Sequence, residues 1–155
     1  MFRKPINREF GSIENATGLE SFLADADLDG RSFTAFMRDV STYAMVYGNV
    51  WIICDKPTTQ VNTRADELQQ GIRPYVSLFT PDNVLDWDYE RKENGVYELT
   101  YLKVREETIK NKQYIREYTP EEINVYLING DDKTGELAET VPNTLGKVPA
   151  VCVYA

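Results

Sequence analysis

The stretch that decides the fold is residues 33–55, which read FTAFMRDVSTYAMVYGNVWIICD. Its first part repeats apolar residues at intervals of three and four, as a helix with one buried face requires. These residues are Phe33, Phe36, Met37, Val40, Tyr43, Ala44 and Tyr47. Gly48 stands where helices commonly end in a left-handed residue. The following run, 50–54, is rich in β-branched and aromatic side chains and apolar on both faces, so we expect a strand inside a sheet that is covered on both sides.

Most of the remaining chain predicts antiparallel sheet, because short apolar runs alternate with turn residues. Strands are expected at 73–79, 84–90, 96–105, 114–118, 123–128, 136–141 and 150–154. Turns are expected at 80–83, 92–95, 119–122 and 129–132. We therefore predict an α+β fold, in which one long amphipathic helix packs on a mostly antiparallel, twisted sheet of about six or seven strands joined as hairpins and a meander.

The length of 155 residues predicts a single domain. We expect an irregular, flexible arm at 1–18, a helical part at 19–47 and a mainly β part at 48–155, with 58–71 forming a loop that contains a short helix at 64–70. The sequence stops on a strand that is predicted to be buried and has no polar tail. Because free ends are normally exposed and polar, this favours a piece of a longer protein.

The composition excludes several classes of partner. The chain has 17 basic and 25 acidic residues, a net charge of −8, which argues against a surface that grips phosphates. No apolar run approaches the ~18 residues of a membrane span, and no secretion signal follows Met1, so a cytosol-like compartment is expected. Cys54 and Cys152 lie in apolar strand-like runs and form no Cys-x-x-Cys pair, so we predict two buried thiols rather than a disulfide or a metal site.

The sharpest motif is the acidic loop Asp25-Ala26-Asp27-Leu28-Asp29-Gly30, which matches the first six positions of a calcium-binding EF-hand loop. The twelfth position should be a bidentate Glu, but it is Phe36, and the ninth is Phe33. Two interpretations follow. Asp25, Asp27 and Asp29 are candidate ligands of a divalent cation, or the loop is a capped turn that leads into the helix at 33–47.

The sequence gives little support for other catalytic chemistry. The chain contains no histidine, which excludes Ser-His-Asp and Cys-His hydrolysis and His-ligated zinc within it. It also lacks the glycine-rich phosphate-binding motifs of ATPases and dinucleotide enzymes. Asp86, Asp88 and Glu90 alternate along one predicted strand, where they form either a carboxylate site of hydrolase type or, more simply, a solvated sheet face.

Three stretches together resemble the wing region of portal proteins of tailed bacteriophages. YGNVWIICDKP at 47–57 is similar to that family's helix end, small residue and apolar strand ending in Asp-x-Pro. RPYVSLFTPDNVLDW at 73–87 resembles its RPY segment, which continues to Pro-Glu-Asn-Ile and a Trp. LGKVPAV at 145–151 is similar to its Leu-Gly-x-Ile-Pro turn before a strand. The order and spacing agree over residues ~30 to 155.

The resemblance implies a structural subunit of a homo-oligomeric ring at one capsid vertex of the virion, assembled in the host cytoplasm. DNA would pass through the ring without sequence-specific binding, driven by a separate terminase, and capsid and tail-connector proteins would attach to it. An acidic chain without ATPase motifs is compatible with a tunnel through which DNA slides. The resemblance implies no catalytic residue, no cofactor and no membrane partner.

We therefore expect a non-enzymatic building part that acts through subunit contacts. Its scaffold is expected to rest on Phe36, Val40, Tyr43, Trp51, Ile53, Tyr75, Phe79 and Trp87. Two alternatives remain at this point: a divalent-cation-binding module that uses the loop 25–30, and a carboxylate-type hydrolase.

Overall fold

The computed structural model describes residues 18–57, 66, 71–106, 112–128 and 135–155. The predicted arm before Gly18, the short helix within 58–71 and the turn at 129–132 lie wholly or largely outside these residues.

The described residues form two α-helices and eight strands. The helices are α1 (Leu19–Ala24) and α2 (Phe33–Tyr47). The strands are β1 (Asn49–Asp55), β2 (Tyr75–Phe79), β3 (Val84–Arg91), β4 (Tyr97–Arg105), β5 (Gln113–Tyr118), β6 (Glu122–Ile128), β7 (Glu136–Pro142) and β8 (Ala150–Tyr154). In the described part of the chain, no helix has the length and apolar content needed to cross a membrane.

Helix α2 begins and ends where its sequence predicts. The Ser32 side chain accepts a hydrogen bond from the Ala35 N–H at 3.3 Å, which caps the first turn. At the other end Gly48 has a φ of 85°, and its N–H donates to the Ala44 carbonyl oxygen at 2.8 Å. A side chain at this φ would be strained, so glycine allows the chain to turn directly from α2 into β1.

Strand β1 lies at the centre of a three-stranded sheet with the order β2-β1-β8, and both pairings are antiparallel. The other five strands form a second antiparallel sheet with the order β3-β4-β5-β6-β7. The predicted α+β class with mostly antiparallel strands is confirmed. The single sheet of six or seven strands is wrong, because the strands divide between two sheets and α2 covers only the smaller one.

The two sheets are required by the sequence of β1. Val50 and Ile52 pack toward α2, in a cluster with Phe36, Val40 and Val76. The alternating residues of β1 pack toward the five-stranded sheet instead. That second cluster contains Trp51, Ile53, Val84, Leu99, Leu102, Val104, Tyr118 and Val148. A strand that is apolar on both faces needs a cover on each side, and one helix supplies only one.

Several predicted core residues are exposed. Tyr43 and Trp87 retain 43% and 52% of their accessible surface, so their assignment to the scaffold core is wrong. The remaining predicted scaffold residues are buried or half-buried. The prediction that 150–154 is a buried strand is also wrong, because β8 is an edge strand and Tyr154 is 72% exposed.

The cysteines differ from the prediction of two buried thiols. Both are free, but Cys54 is exposed and Cys152 is half-buried. Cys54 lies near the end of β1, where its register partner is Val76, and Cys152 lies on the edge strand β8. Burial raises the pKa of each thiol, and Asp55 raises that of Cys54 further.

We predict that Trp51→Ala lowers the free energy of unfolding by about 3–5 kcal/mol, because it removes a large side chain that is only 3% exposed. Trp87→Ala is the matched control. Its ring packs against Trp51 but is half exposed, so we expect a loss of about 1–2 kcal/mol. Urea unfolding followed by circular dichroism measures both values. Equal losses in the two variants would contradict the central position of β1.

Candidate functional site

The acidic loop 25–30 forms internal hydrogen bonds and ion pairs. One carboxylate oxygen of Asp25 accepts from the Gly30 N–H at 2.9 Å, and the other contacts Nη2 of Arg73 at 2.8 Å. Between these anchors, the carbonyl oxygen of the fully buried Ala26 accepts from the Val76 N–H at 2.9 Å. The loop therefore packs along β2 and ties it to the turn before α2.

Asp27 also forms hydrogen bonds and an ion pair within the loop. Its Oδ1 accepts from the N–H groups of Asp29 and Arg31, and its Oδ2 contacts Nε of Arg31 at 3.0 Å. Phe36, at the position where a calcium loop has its bidentate Glu, is 1% exposed and belongs to the core. Within the described ranges, no group of three or more Asp, Glu or Cys residues could hold a metal ion. Of the two interpretations of the sequence, the geometry of loop 25–30 corresponds to the capped turn.

We expect CaCl2 to raise the melting temperature no more than MgCl2 at equal ionic strength, because Arg31 and Arg73 already neutralise the carboxylates of Asp27 and Asp25. Differential scanning fluorimetry measures the shift. A saturable shift that is specific for Ca²⁺ and lost in Asp27→Asn would contradict this interpretation.

The carboxylates of β3 lie on a solvated face, as the simpler sequence interpretation predicts. Asp86, Asp88 and Glu90 are all exposed. The first two accept hydrogen bonds from the N–H of the next residue, at 2.9 and 2.8 Å, and Glu90 pairs with Lys92 at 2.8 Å. These three side chains therefore do not converge in an apolar pocket, which a carboxylate-type hydrolase would need.

An ion cluster that sequence reasoning did not find joins the two sheets. Arg116 of β5 donates through Nη1 to Asp55 at the end of β1, and its Nη2 contacts Glu106 Oε1 at 3.1 Å. Each of the three side chains is at most 24% exposed. Burial alone would lower the pKa of Arg116, but Tyr118, Glu106 and Asp55 raise it. Asp55 and Arg116 are 61 residues apart, so no local pattern pairs them.

The cluster borders a cleft of about 400 Å³ that lies between the end of β1 and strands β6 and β7. Its lining includes Cys54, Asp55, Ile123, Val141 and Leu145. Arg116 is already neutralised by two carboxylates, so its guanidinium is not available to an anionic ligand. The arrangement therefore supports a structural link between the sheets.

We predict that Arg116→Gln lowers the free energy of unfolding by about 2–4 kcal/mol, because it leaves two carboxylates without their cation. In the double variant Asp55→Asn/Arg116→Gln, the loss should be at least about 1 kcal/mol smaller than the sum of the single losses. Lys92→Gln, which breaks the exposed pairs with Glu90 and Glu98, serves as the control with little expected effect. Strict additivity at Asp55 and Arg116 would contradict the link.

A groove lies at β8, where the two sheets meet. It has a volume of about 590 Å³ and is lined by apolar residues of both sheets. The lining includes Ile52, Tyr89, Tyr97, Val148, Val151 and Cys152. Burial raises the pKa of Tyr89, as does the nearby Cys152. The wall of this groove is mostly apolar, and Glu98 and Lys147 are the charged residues of its lining, so the groove favours contact with another apolar surface rather than acid/base chemistry.

β8 is open on one side of this groove. It pairs with β1 only, and among the described strands none pairs with its outer edge. Its Val151 and Tyr154 side chains are 56% and 72% exposed. The sequence identified the strand correctly, but its apolar composition indicated burial. An apolar edge strand with free backbone donors and acceptors is a surface on which another strand can pair.

A scan against protein-family models and a search of curated proteins found no match to this chain.

Proposed function

We propose that this chain is a structural part of a tailed-bacteriophage portal ring and acts through subunit contacts rather than through catalysis. The ring would sit at one vertex of the capsid in the virion. Terminase, capsid and tail-connector proteins would be its partners, and DNA would pass through the ring without sequence-specific binding.

The observation that carries the proposal is the apolar surface at β8 that the described residues leave exposed. A soluble monomer seldom leaves an apolar edge strand beside an apolar groove, because such surfaces associate. In this chain the Val151 and Tyr154 side chains of the edge strand are exposed, and the groove beside the strand has a volume of about 590 Å³. A subunit that is completed by its neighbours accounts for both features.

The three sequence stretches that resemble the portal wing have structural roles compatible with this proposal. The first contains β1, which is the centre of the smaller sheet. The second contains β2 and the short 3-10 turn Pro81–Asn83 that leads into β3. The third leads into β8. All three therefore meet around the same sheet, as parts of one packing unit.

The genes that flank this reading frame test the proposal. We expect a terminase gene beside it, together with capsid or tail-connector genes, because packaging components are produced together. Electron microscopy of particles assembled with the flanking gene products should then locate the chain in a ring at one vertex. A reading frame surrounded only by genes of metabolism, or particles without the chain, would overturn the proposal.

A further inference from the structure

Strand β3 lies at an edge of the larger sheet and exposes apolar side chains there. Among the described strands it pairs with β4 only, so one side of its backbone has no described strand beside it. Its sequence alternates apolar residues with carboxylates, and Leu85, Trp87 and Tyr89 are all exposed. An edge strand with exposed apolar side chains is a surface on which another strand readily pairs.

The backbone N–H groups of β3 identify its open side, because they point alternately to the two sides of a strand. Lys92, directly after β3, donates its N–H to the Val96 carbonyl oxygen at 2.9 Å, on the side of β4. The Asp88 carbonyl oxygen also accepts from a side chain of β4, at 3.3 Å. The register shift after Asp88 places its extra residue in β4, so the alternation along 86–92 is unbroken. The N–H groups of Trp87 and Tyr89 therefore point to the open side.

Both of these outward N–H groups are already bound by carboxylates. The Trp87 N–H donates to Asp86 Oδ1 at 2.9 Å, and the Tyr89 N–H donates to Asp88 Oδ1 at 2.8 Å. A strand that pairs with β3 would need these two donors for its own carbonyl oxygens. It would have to displace two carboxylates, whose bonds to N–H groups are stronger than the neutral bonds that would replace them.

We propose that Asp86 and Asp88 protect the edge of β3, because their carboxylates mask the outward N–H groups and prevent another strand from pairing there. The neighbouring Glu90 has a different role, since it forms an ion pair with Lys92. The inference goes beyond the proposed function and does not rest on it, because the masking is a property of the strand in any assembly.

The double variant Asp86→Ala/Asp88→Ala tests the protection, because it removes both carboxylates from exposed positions. Thioflavin T fluorescence and light scattering of the full 155-residue chain under native conditions measure the growth of sheet-rich aggregates. We expect the variant to form them at least about tenfold faster than the wild type, because the two N–H groups become available to another strand.

Two control variants change the net charge by the same amount. Asp86→Asn/Asp88→Asn removes both charges but keeps a side-chain oxygen that can accept each N–H. Asp82→Ala/Glu93→Ala removes two exposed carboxylates from the turns before and after β3. We expect both controls to aggregate within about threefold of the wild-type rate. Aggregation of either control as fast as the Ala pair at 86 and 88 would assign the effect to charge and overturn the masking.

Amide hydrogen exchange supplies a second measurement that does not depend on aggregation. At low protein concentration, the amides of Trp87 and Tyr89 should exchange at least about tenfold faster in the Ala pair than in the wild type or the Asn pair. The amide of Leu102, which is buried in β4, should exchange equally in all three and so report an intact fold. Protection of Trp87 and Tyr89 that survives in the Ala pair would overturn the inference. That result leaves the gene neighbourhood, which tests the proposed function, unaffected.

Discussion

The structure depends on one constraint: a strand with apolar side chains on both faces must be covered twice. In β1, Val50 and Ile52 alternate with Trp51 and Ile53, and each pair has its own apolar cluster. Helix α2 supplies the first cover because Gly48 allows the chain to fold back directly onto the strand that follows. The second sheet supplies the other. The division of eight strands between two sheets follows from this arrangement.

Polar contacts connect the larger sheet and the turn before α2 to the smaller sheet. The ion pair between Asp55 and Arg116 connects the end of β1 to the middle of the larger sheet. The pair between Asp25 and Arg73, with the hydrogen bond from Val76 to Ala26, connects β2 to the turn before α2. Apolar burial is not directional, and these pairs add directional contacts between the layers.

Local patterns in the sequence predicted most elements, and the structure differs where long-range packing decides. The bounds of α2 and the existence of every described strand were predicted, because helix periodicity, caps and turn residues act over short distances. The division into two sheets and the pair Asp55–Arg116 join residues far apart, and no local signal encodes them. Burial of β8, Tyr43 and Trp87 was predicted wrongly, because an apolar side chain looks the same in sequence whether it faces a core or an uncovered edge.

The same architecture explains why the surface around β8 is open. Strand β1 has a neighbour on each side, so β8 is an edge among the described strands. Its Cys152 and Val153 pack against the two clusters, but Val151 and Tyr154 remain exposed. Native-state hydrogen exchange at low protein concentration tests the central position of β1 most directly. The account predicts that the amides of Trp51 and Ile53 are among the slowest in the protein and exchange only on global unfolding. Faster exchange at these two residues than along the edge strand β7 would contradict it.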